Sequence, residues 1–218
     1  MPPGNKPGRH GAIALLEFSN VPAGVLASDH MVKRSPIALL RCGSVHPGRY
    51  LVLVGGSVAS TEEAYAVGVR VGEAGNALFN SIFLGDVHPF VHDAVIGTRR
   101  KLVGDSLAVV ETTCSPVLLA AVDAAVKSTR VMLGEIRLGD DLGGRALALM
   151  CGNLHEAETA LEICTDRAGE HLHARTLLPR VDPDIRGLLN KTTHFEHCKA
   201  HEPIGAEFPE EVACSWDA

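Results

Sequence analysis

The residues near the carboxyl end of the chain include four side chains of the types that bind metals. If this segment is helical, the spacing i, i+3, i+4 and i+7 places on one helix face His194, His197, Cys198 and His201. Imidazole and thiolate groups are ligands that zinc and related transition metals prefer. One short helix rarely supplies four ligands to one ion, so a metal site here needs a partner chain. The alternative is an exposed tail whose histidines bind nothing.

Other reactive residues form weaker patterns. The run Gly55-Gly56-Ser57 lies between a predicted strand and a predicted helix, where backbone N–H groups can hold a phosphate. It lacks the Gly-Lys-Ser/Thr ending of a phosphate-binding loop, so it indicates a structural turn. Serine, histidine and aspartate residues elsewhere form no pattern typical of a catalytic triad. The sequence therefore predicts a protein that is not an enzyme.

Composition excludes several further classes of protein. The chain has 218 residues, 46% of them hydrophobic and 4% aromatic, with a formal net charge of -6. It lacks the basic field and the aromatic side chains that nucleic-acid binding usually needs. No apolar run approaches the roughly 18 residues of a membrane span, and none resembles a signal-peptide core. We expect a folded intracellular protein with no nucleic-acid partner and no membrane partner.

The cysteines indicate a reducing compartment. No two of them form a Cys-x-x-Cys pair, and the six are Cys42, Cys114, Cys151, Cys164, Cys198 and Cys214. In such a chain the expected state is a reduced thiol that packs as a small hydrophobic side chain.

The most informative feature is an internal repeat. At an offset of 94 residues, Glu17 falls on Glu111, and the same offset matches Pro22, Asp29, Val32, Lys33 and Leu39 with identical residues. Two extra residues in the second copy then pair Arg49 with Arg145. We predict two copies of one domain, at 12–97 and 106–190. A disordered segment at 1–11 precedes them, and an acidic, histidine-containing tail at 191–218 follows.

Each copy predicts the same order of secondary-structure elements. These elements must position any functional site. In the first copy, apolar runs predict strands near 12–18, 37–42, 50–54 and 78–84. Helices are predicted over 23–34 and from a capping box at Ser60 and Glu63 to about Gly72. The order is βαββαβ, with a hairpin between the helices. It predicts an α+β fold of two tandem ferredoxin-like domains with antiparallel sheets.

Particular runs add a resemblance to a known family. The first copy contains Ala12-Ile-Ala-Leu-Leu-Glu17, Asp29-His-Met-Val-Lys33 and Pro47-Gly-Arg-Tyr-Leu-Val-Leu-Val-Gly-Gly-Ser-Val58. The second copy contains Leu107-Ala-Val-Val-Glu111, Asp123-Ala-Ala-Val-Lys127 and Gly143-Gly-Arg145. These runs resemble the bacterial microcompartment shell domain. Two copies in one chain resemble the tandem-domain class, closest to the propanediol-utilisation type.

The resemblance implies a structural function. Proteins of this class form homotrimers shaped as pseudohexamers, which tile with other shell proteins around an enzyme-filled organelle in the bacterial cytoplasm. Their hairpin loops line a central pore for a small metabolite or for electrons. The positions that this implies here are Ser44, Val45, His46, Pro47, Gly48, Asp140, Asp141, Leu142 and Gly143.

The resemblance also implies residues at the edge of the tile. The lysine of the helix pattern lies along that edge in the family, which matches Lys33 and Lys127. Arg180 occupies the second edge position, whereas the first copy has Asp86 there. An aspartate cannot replace the donors of an arginine. We therefore expect different edge chemistry in the first copy.

One loop residue departs from the family pattern. In close relatives a cysteine precedes the Pro-Gly of the first hairpin, and three such cysteines can hold an iron–sulfur cluster. Here His46 stands at that position, and Cys42 lies four residues earlier. Three imidazoles on a threefold axis can instead hold a metal ion with an open position. The plain alternative is a polar pore lining.

Two other functions stay open at this point. The first is a metal-binding or iron–sulfur-binding shell subunit that relays electrons. The second is a trimeric ferredoxin-like regulatory protein that binds a small ligand between its subunits.

Overall fold

The computed structural model describes residues 9–139, 141–201 and 203–204. The chain divides into two compact units, Met1–Arg180 and Val181–Ala218. The predicted second domain, 106–190, therefore crosses the boundary between these units. Among the described residues, no helix is long and apolar enough to cross a membrane.

The first unit contains two sets of elements in the same order. The first set is β1 (Ala12–Phe18), α1 (Val21–Arg34), β2 (Leu39–Val45), β3 (Arg49–Gly56), α2 (Val58–Ala74), β4 (Leu78–Leu84) and α3 (Pro89–Val95). The second set is β5 (Ser106–Thr112), α4 (Ser115–Ser128), β6 (Met132–Leu138), β7 (Ala146–Gly152), α5 (Leu154–Ala168) and β8 (Leu172–Leu178). The second unit contains α6 (Pro183–Lys191) and a 3-10 turn at Phe195–His197.

Each set forms one four-stranded antiparallel sheet. The strand orders are β2-β3-β1-β4 and β6-β7-β5-β8, which is the order of the ferredoxin-like fold. The two sheets share an irregularity, because the register shifts between Glu17 and Phe18 and again between Glu111 and Thr112. The predicted fold of two tandem ferredoxin-like domains is confirmed.

Strand β1 is buried along its whole length, so both of its faces pack against other side chains. Ala14, Leu16 and Phe18 belong to a core cluster that includes Ala27 and Met31 of α1. Ile13 and Leu15 point the other way, into a larger cluster that includes residues of α3 and of the second domain. Because alternate residues of a strand face opposite sides, β1 carries two separate cores.

The helix starts explain one error in the sequence prediction. Helix α2 begins at Val58, and its cap is Ser57, whose side chain accepts a hydrogen bond from the Ser60 backbone. The predicted capping box at Ser60 and Glu63 is therefore wrong by one turn. Ser57 directly follows β3 and takes the extended conformation that a cap requires. Glu63 instead pairs with Arg34 at 2.6 Å.

The amino-terminal residues that the structure describes are attached to α3. Arg9 donates to Asp93 at 2.8 Å, and the His10 ring lies 3.0 Å from the His92 ring nitrogen. The predicted disordered segment at 1–11 therefore includes three residues, 9–11, that precede β1 in a defined place. Residues 1–8 lie outside the described residues.

Candidate functional site

The two domains of the first unit meet edge to edge. Helix α3 of the first domain packs against β6 of the second, and β4 packs against α4. The first domain thus contributes its α3–β4 side, whereas the second contributes its α4–β6 side. A contact made by two different surfaces is heterologous, and such contacts can repeat from domain to domain.

Glu17 lies at the centre of this contact and is fully buried. One carboxylate oxygen accepts from Arg49 at 2.7 Å, and the other accepts from the Ser115 backbone N–H at 2.9 Å. Burial raises the pKa of the Glu17 carboxyl, while Arg49 and the Ser115 N–H act in the opposite direction. Ser115 is the first residue of α4, and the side chain of the helix cap Cys114 makes no capping hydrogen bond. Glu17 therefore caps a helix of the other domain.

Arg49 connects the same contact to the hairpin loops. Its guanidinium donates to the Thr113 carbonyl at 3.0 Å and to the Gly144 carbonyl at 3.3 Å. The guanidinium carbon also lies 3.8 Å from the centre of the Phe79 ring. One arginine of the first domain thus holds the start of α4 and the second hairpin in place.

The predicted edge lysines occupy two different environments. Lys127 donates to the Asp86 carbonyl and lies 2.6 Å from Asp123, so it sits where the two domains meet. Asp123 also accepts from the His88 backbone N–H at 2.8 Å. Lys33 pairs with Asp29 at 2.7 Å, and both side chains are exposed. Arg180 is exposed at the end of the first unit.

The two hairpins lie side by side. A Cβ atom added to Gly144 would lie 3.0 Å from Pro47, and one added to Gly139 would lie 3.2 Å from Val45. The tip of the first hairpin is exposed at His46, Pro47 and Gly48. The structure therefore brings together the two loops that the resemblance assigns to a pore.

The other predicted pore residues lie around these tips. Ser44, Asp141 and Gly143 are exposed, Leu142 is half-buried, and Val45 is buried. Asp140 lies outside the described residues. The role of these residues in a pore stays a prediction.

The first hairpin does not fit a cysteine-held iron–sulfur cluster. Residues 43–48 contain no thiol, and Cys42 lies within β2, opposite Val52 of β3. His46 at the tip supplies an imidazole instead. Thiolates are the ligands that hold such clusters, so the loop lacks the group that the cluster needs.

The four predicted ligands of the tail do not share a helix face. The segment forms a 3-10 turn at Phe195–His197, and His201 bonds to Asp184 at 2.9 Å. His194 and His197 remain close, with ring centres 5.6 Å apart. The condition of that prediction, a helix over 194–201, is therefore not met, and metal binding by the tail stays a prediction.

Sequence reasoning did not assign a site role to Glu17 or Arg49. Their signal was present, because both residues recur in the second copy as Glu111 and Arg145. A buried charge that recurs in a duplicated domain indicates a repeated contact.

Duplicated ferredoxin-like domains, joined by a heterologous contact and carrying adjacent hairpins, define a class of tandem-domain proteins. The family model for the BMC domain matches residues 12–86 and again 106–181. The chain belongs to this family and is a tandem-domain bacterial microcompartment shell protein, as the resemblance predicted.

Known relatives agree with this assignment. The chain is 29% identical to the bacterial microcompartment shell protein PduT of Citrobacter freundii over 171 residues, covering 78% of this chain and 92% of the relative. It is 26% identical to the carboxysome assembly protein CcmO of Synechocystis sp., covering 92% of this chain and 71% of the relative.

Solved structures show the same fold. A microcompartment protein from Desulfitobacterium hafniense matches with a TM-score of 0.71 and 28% identity, covering 81% of this chain and 98% of that one. A double ringed trimeric shell protein from the RMM microcompartment matches with a TM-score of 0.50 and 17% identity, covering 72% of this chain and 81% of that one. At that identity the second match shows the fold alone.

Proposed function

We propose that three copies of the chain close a six-domain ring, which serves as a structural tile in the shell of a bacterial microcompartment. The observation that carries this proposal is the contact between the two domains, whose complementary sides are uncovered in a single chain. Among the described residues, β8 of the second domain and α1 and β2 of the first domain are exposed over much of their length. Repetition of a heterologous contact builds a ring when its rotation closes.

Helix exposure supports this repetition. Leu119 and Val126 of α4 are 0% and 5% exposed, because α4 packs in the domain contact. Their counterparts in α1, Val25 and Val32, are 51% and 48% exposed. Exposed aliphatic side chains at positions whose duplicates are buried indicate a surface that a second copy covers.

The sheet edges differ in the same way. Strand β6 is buried over five successive residues, whereas its counterpart β2 is exposed over most of its length. Strand β8 is likewise more exposed than its counterpart β4. In the ring, β8 of one chain packs against α1 of the next, as β4 packs against α4 within the chain.

Polar groups at the free side match those of the internal contact. Glu111 and Arg145 form a pair at 3.0 Å, with side chains 22% and 41% exposed. The equivalent Glu17 and Arg49 side chains are 1% and 22% exposed. At the repeat offset of 94 residues, Ser115 corresponds to Val21. In the ring, Glu111 would therefore accept a hydrogen bond from the backbone N–H of Val21 of the next copy.

The same offsets give the other contacts between chains. Arg145 of one chain would donate to the carbonyls of Ser19 and Gly48 of the next copy. Lys33 of the next copy would donate to the carbonyl of Arg180, as Lys127 donates to that of Asp86 within the chain. The predicted edge residues Lys33, Lys127 and Arg180 would then all lie at domain junctions of the tile.

The ring would gather the hairpin loops around its axis. Three copies of the adjacent hairpins give six loops, with His46 and Asp141 exposed on the two types of loop. This lining suits cations or small polar metabolites. Replacing His46 and Asp141 with tryptophan should slow the entry of a small substrate into assembled microcompartments, and unchanged flux would exclude the pore role.

The ring also provides a site for one metal ion at three copies of His46. Three imidazoles around one axis leave an open coordination position. Metal analysis of the purified protein should then find fewer ions per ring after His46→Ala. Equal metal content in the two proteins would exclude this site.

The role proposed for the chain is structural rather than enzymatic, with other shell proteins as its partners. Electron microscopy of the purified full chain tests it. Hexagonal particles about 70 Å across, taking roughly 35 Å per domain, or sheets of such particles are expected. Discrete smaller particles that never tile, and whose melting temperature rises with a nucleotide or metabolite, would instead support a ligand-binding regulatory protein.

A further inference from the structure

We propose that the segment after α6 binds one divalent transition-metal ion through His194, Glu196 and His197. One ligand atom from each residue lies within 4.8 Å of the other two. His197 Nε2 lies 3.3 Å from a Glu196 carboxylate oxygen. None of these three residues belongs to the contact between the two domains of the first unit.

The local backbone explains why these residues meet. A 3-10 helix has three residues per turn, so side chains at i and i+3 lie on the same side. The turn at Phe195–His197 therefore aligns His194 with His197. The His197 backbone N–H donates to the His194 carbonyl at 3.0 Å, which closes the turn. The His194 N–H donates to Thr192 Oγ1 at 3.0 Å, which fixes the entry from α6.

The far end of the segment is also held in place. Asp184, in the first turn of α6, accepts from the Ile204 backbone N–H at 2.7 Å and lies 2.9 Å from His201 Nε2. The hydrogen bond from His201 and that from Ile204 lower the pKa of the Asp184 carboxyl. The loop is thus closed at both ends on one helix. A closed loop loses less conformational entropy when it binds a metal.

The donor types indicate the metal. Two imidazoles with one carboxylate form a three-ligand set that zinc uses while it keeps an open position. Imidazole favours zinc, copper, nickel and cobalt over magnesium and calcium. A cavity of about 420 Å³ lies beside His197.

This ligand set differs from the one that the sequence alone suggested. His201 is held by Asp184, and Glu196 takes a place among the ligands. The Cys198 thiol donates to the His194 carbonyl at 3.3 Å, so it lies next to the site without joining the cluster.

Titration of the full-length chain with Zn²⁺ and Co²⁺ tests the assignment. Calorimetry should find one ion per chain at this site, and His194→Ala or His197→Ala should each weaken binding roughly tenfold or more. His155→Ala, at an exposed histidine of α5, is the matched control and should leave the affinity unchanged. No binding by the unaltered chain, or an equal loss in His155→Ala and His197→Ala, would overturn the proposal.

The Co²⁺ spectrum provides a second readout. A site of nitrogen and oxygen ligands should show visible d–d bands without a thiolate charge-transfer band. A charge-transfer band that disappears in Cys198→Ser would contradict the three-ligand assignment. The oligomeric mass of His197→Ala should equal that of the unaltered chain, which separates loss of this site from failure of ring closure.

Discussion

The Glu17 carboxylate of the first domain accepts a hydrogen bond from the Ser115 backbone N–H of the second, at a distance of 2.9 Å. Ser115 begins helix α4, whose own cap residue Cys114 makes no side-chain capping hydrogen bond. A buried carboxylate thus replaces the missing cap and carries the charge that a helix start favours. The two domains therefore depend on each other for a contact that neither completes alone.

Replacement of Glu17 by alanine should destabilise the chain by about 2 kcal/mol or more. The change leaves the Arg49 guanidinium without its carboxylate and leaves the start of α4 uncapped. Urea unfolding at one fixed protein concentration measures the loss. Glu62→Ala, on the exposed side of α2, is the control and should change stability by less than about 0.5 kcal/mol. Equal effects of the two changes would contradict the capping role.

Alanine substitutions at two neighbouring glycines distinguish the stability cost of a strained backbone from the stability cost of disturbed loop packing. Gly143 and Gly144 both have positive φ, 62° and 79°, so alanine costs about 1 kcal/mol or more at either. A Cβ at Gly144 would also lie 3.0 Å from Pro47, whereas a Cβ at Gly143 meets nothing within 4 Å. Thermal unfolding should show a larger loss for Gly144→Ala. An equal loss would mean that the hairpins do not pack together.

Burial should divide the thiols into two reactivity groups. Burial raises the pKa of Cys114 to about 11 and that of Cys164 to about 12, so little thiolate forms near neutral pH. Cys198 is exposed. Iodoacetamide at pH 8 should label Cys198 in the folded protein, with Cys114 and Cys164 labelled only in denaturant. Mass spectrometry of the digested protein locates the label, and rapid labelling of Cys164 in the folded chain would contradict its placement.

Asp93 should make the stability of the folded chain depend on pH. Hydrogen bonds from Arg9, Arg100 and His92 keep the pKa of the Asp93 carboxyl well below its ordinary value, with Arg9 the largest influence. A carboxyl whose pKa is lowered by folding stabilises the protein above its unfolded pKa, and this contribution is lost as the pH falls. The difference in Tm between the unaltered chain and Asp93→Asn should stay constant from pH 7 to about pH 5 and shrink below about pH 4. A difference that grows on acidification would contradict this account.

Much of the fold follows from local patterns in the sequence. The repeat, the strands and the helices were predictable because identical residues recur at one offset and apolar residues recur at strand and helix periods. The cap of α2 was misplaced because Ser57 and Ser60 both suit a cap, and only the end of β3 selects between them. The roles of Glu17 and His201 depend on partners 98 and 17 residues away. Such long-range contacts produce no local periodicity in the sequence, so local patterns do not predict them.

Sedimentation measurements of the oligomeric mass test ring closure most directly. The unaltered chain should sediment with three times the mass of one chain. Arg145→Ala, which removes the donors that the proposed ring assigns to the contact with the next copy, should raise at least tenfold the concentration needed for the trimer. Arg70→Ala, an exposed arginine on α2, is the matched control and should leave that concentration unchanged. A single-chain mass for the unaltered protein, or equal behaviour of the two variants, would contradict the proposed ring.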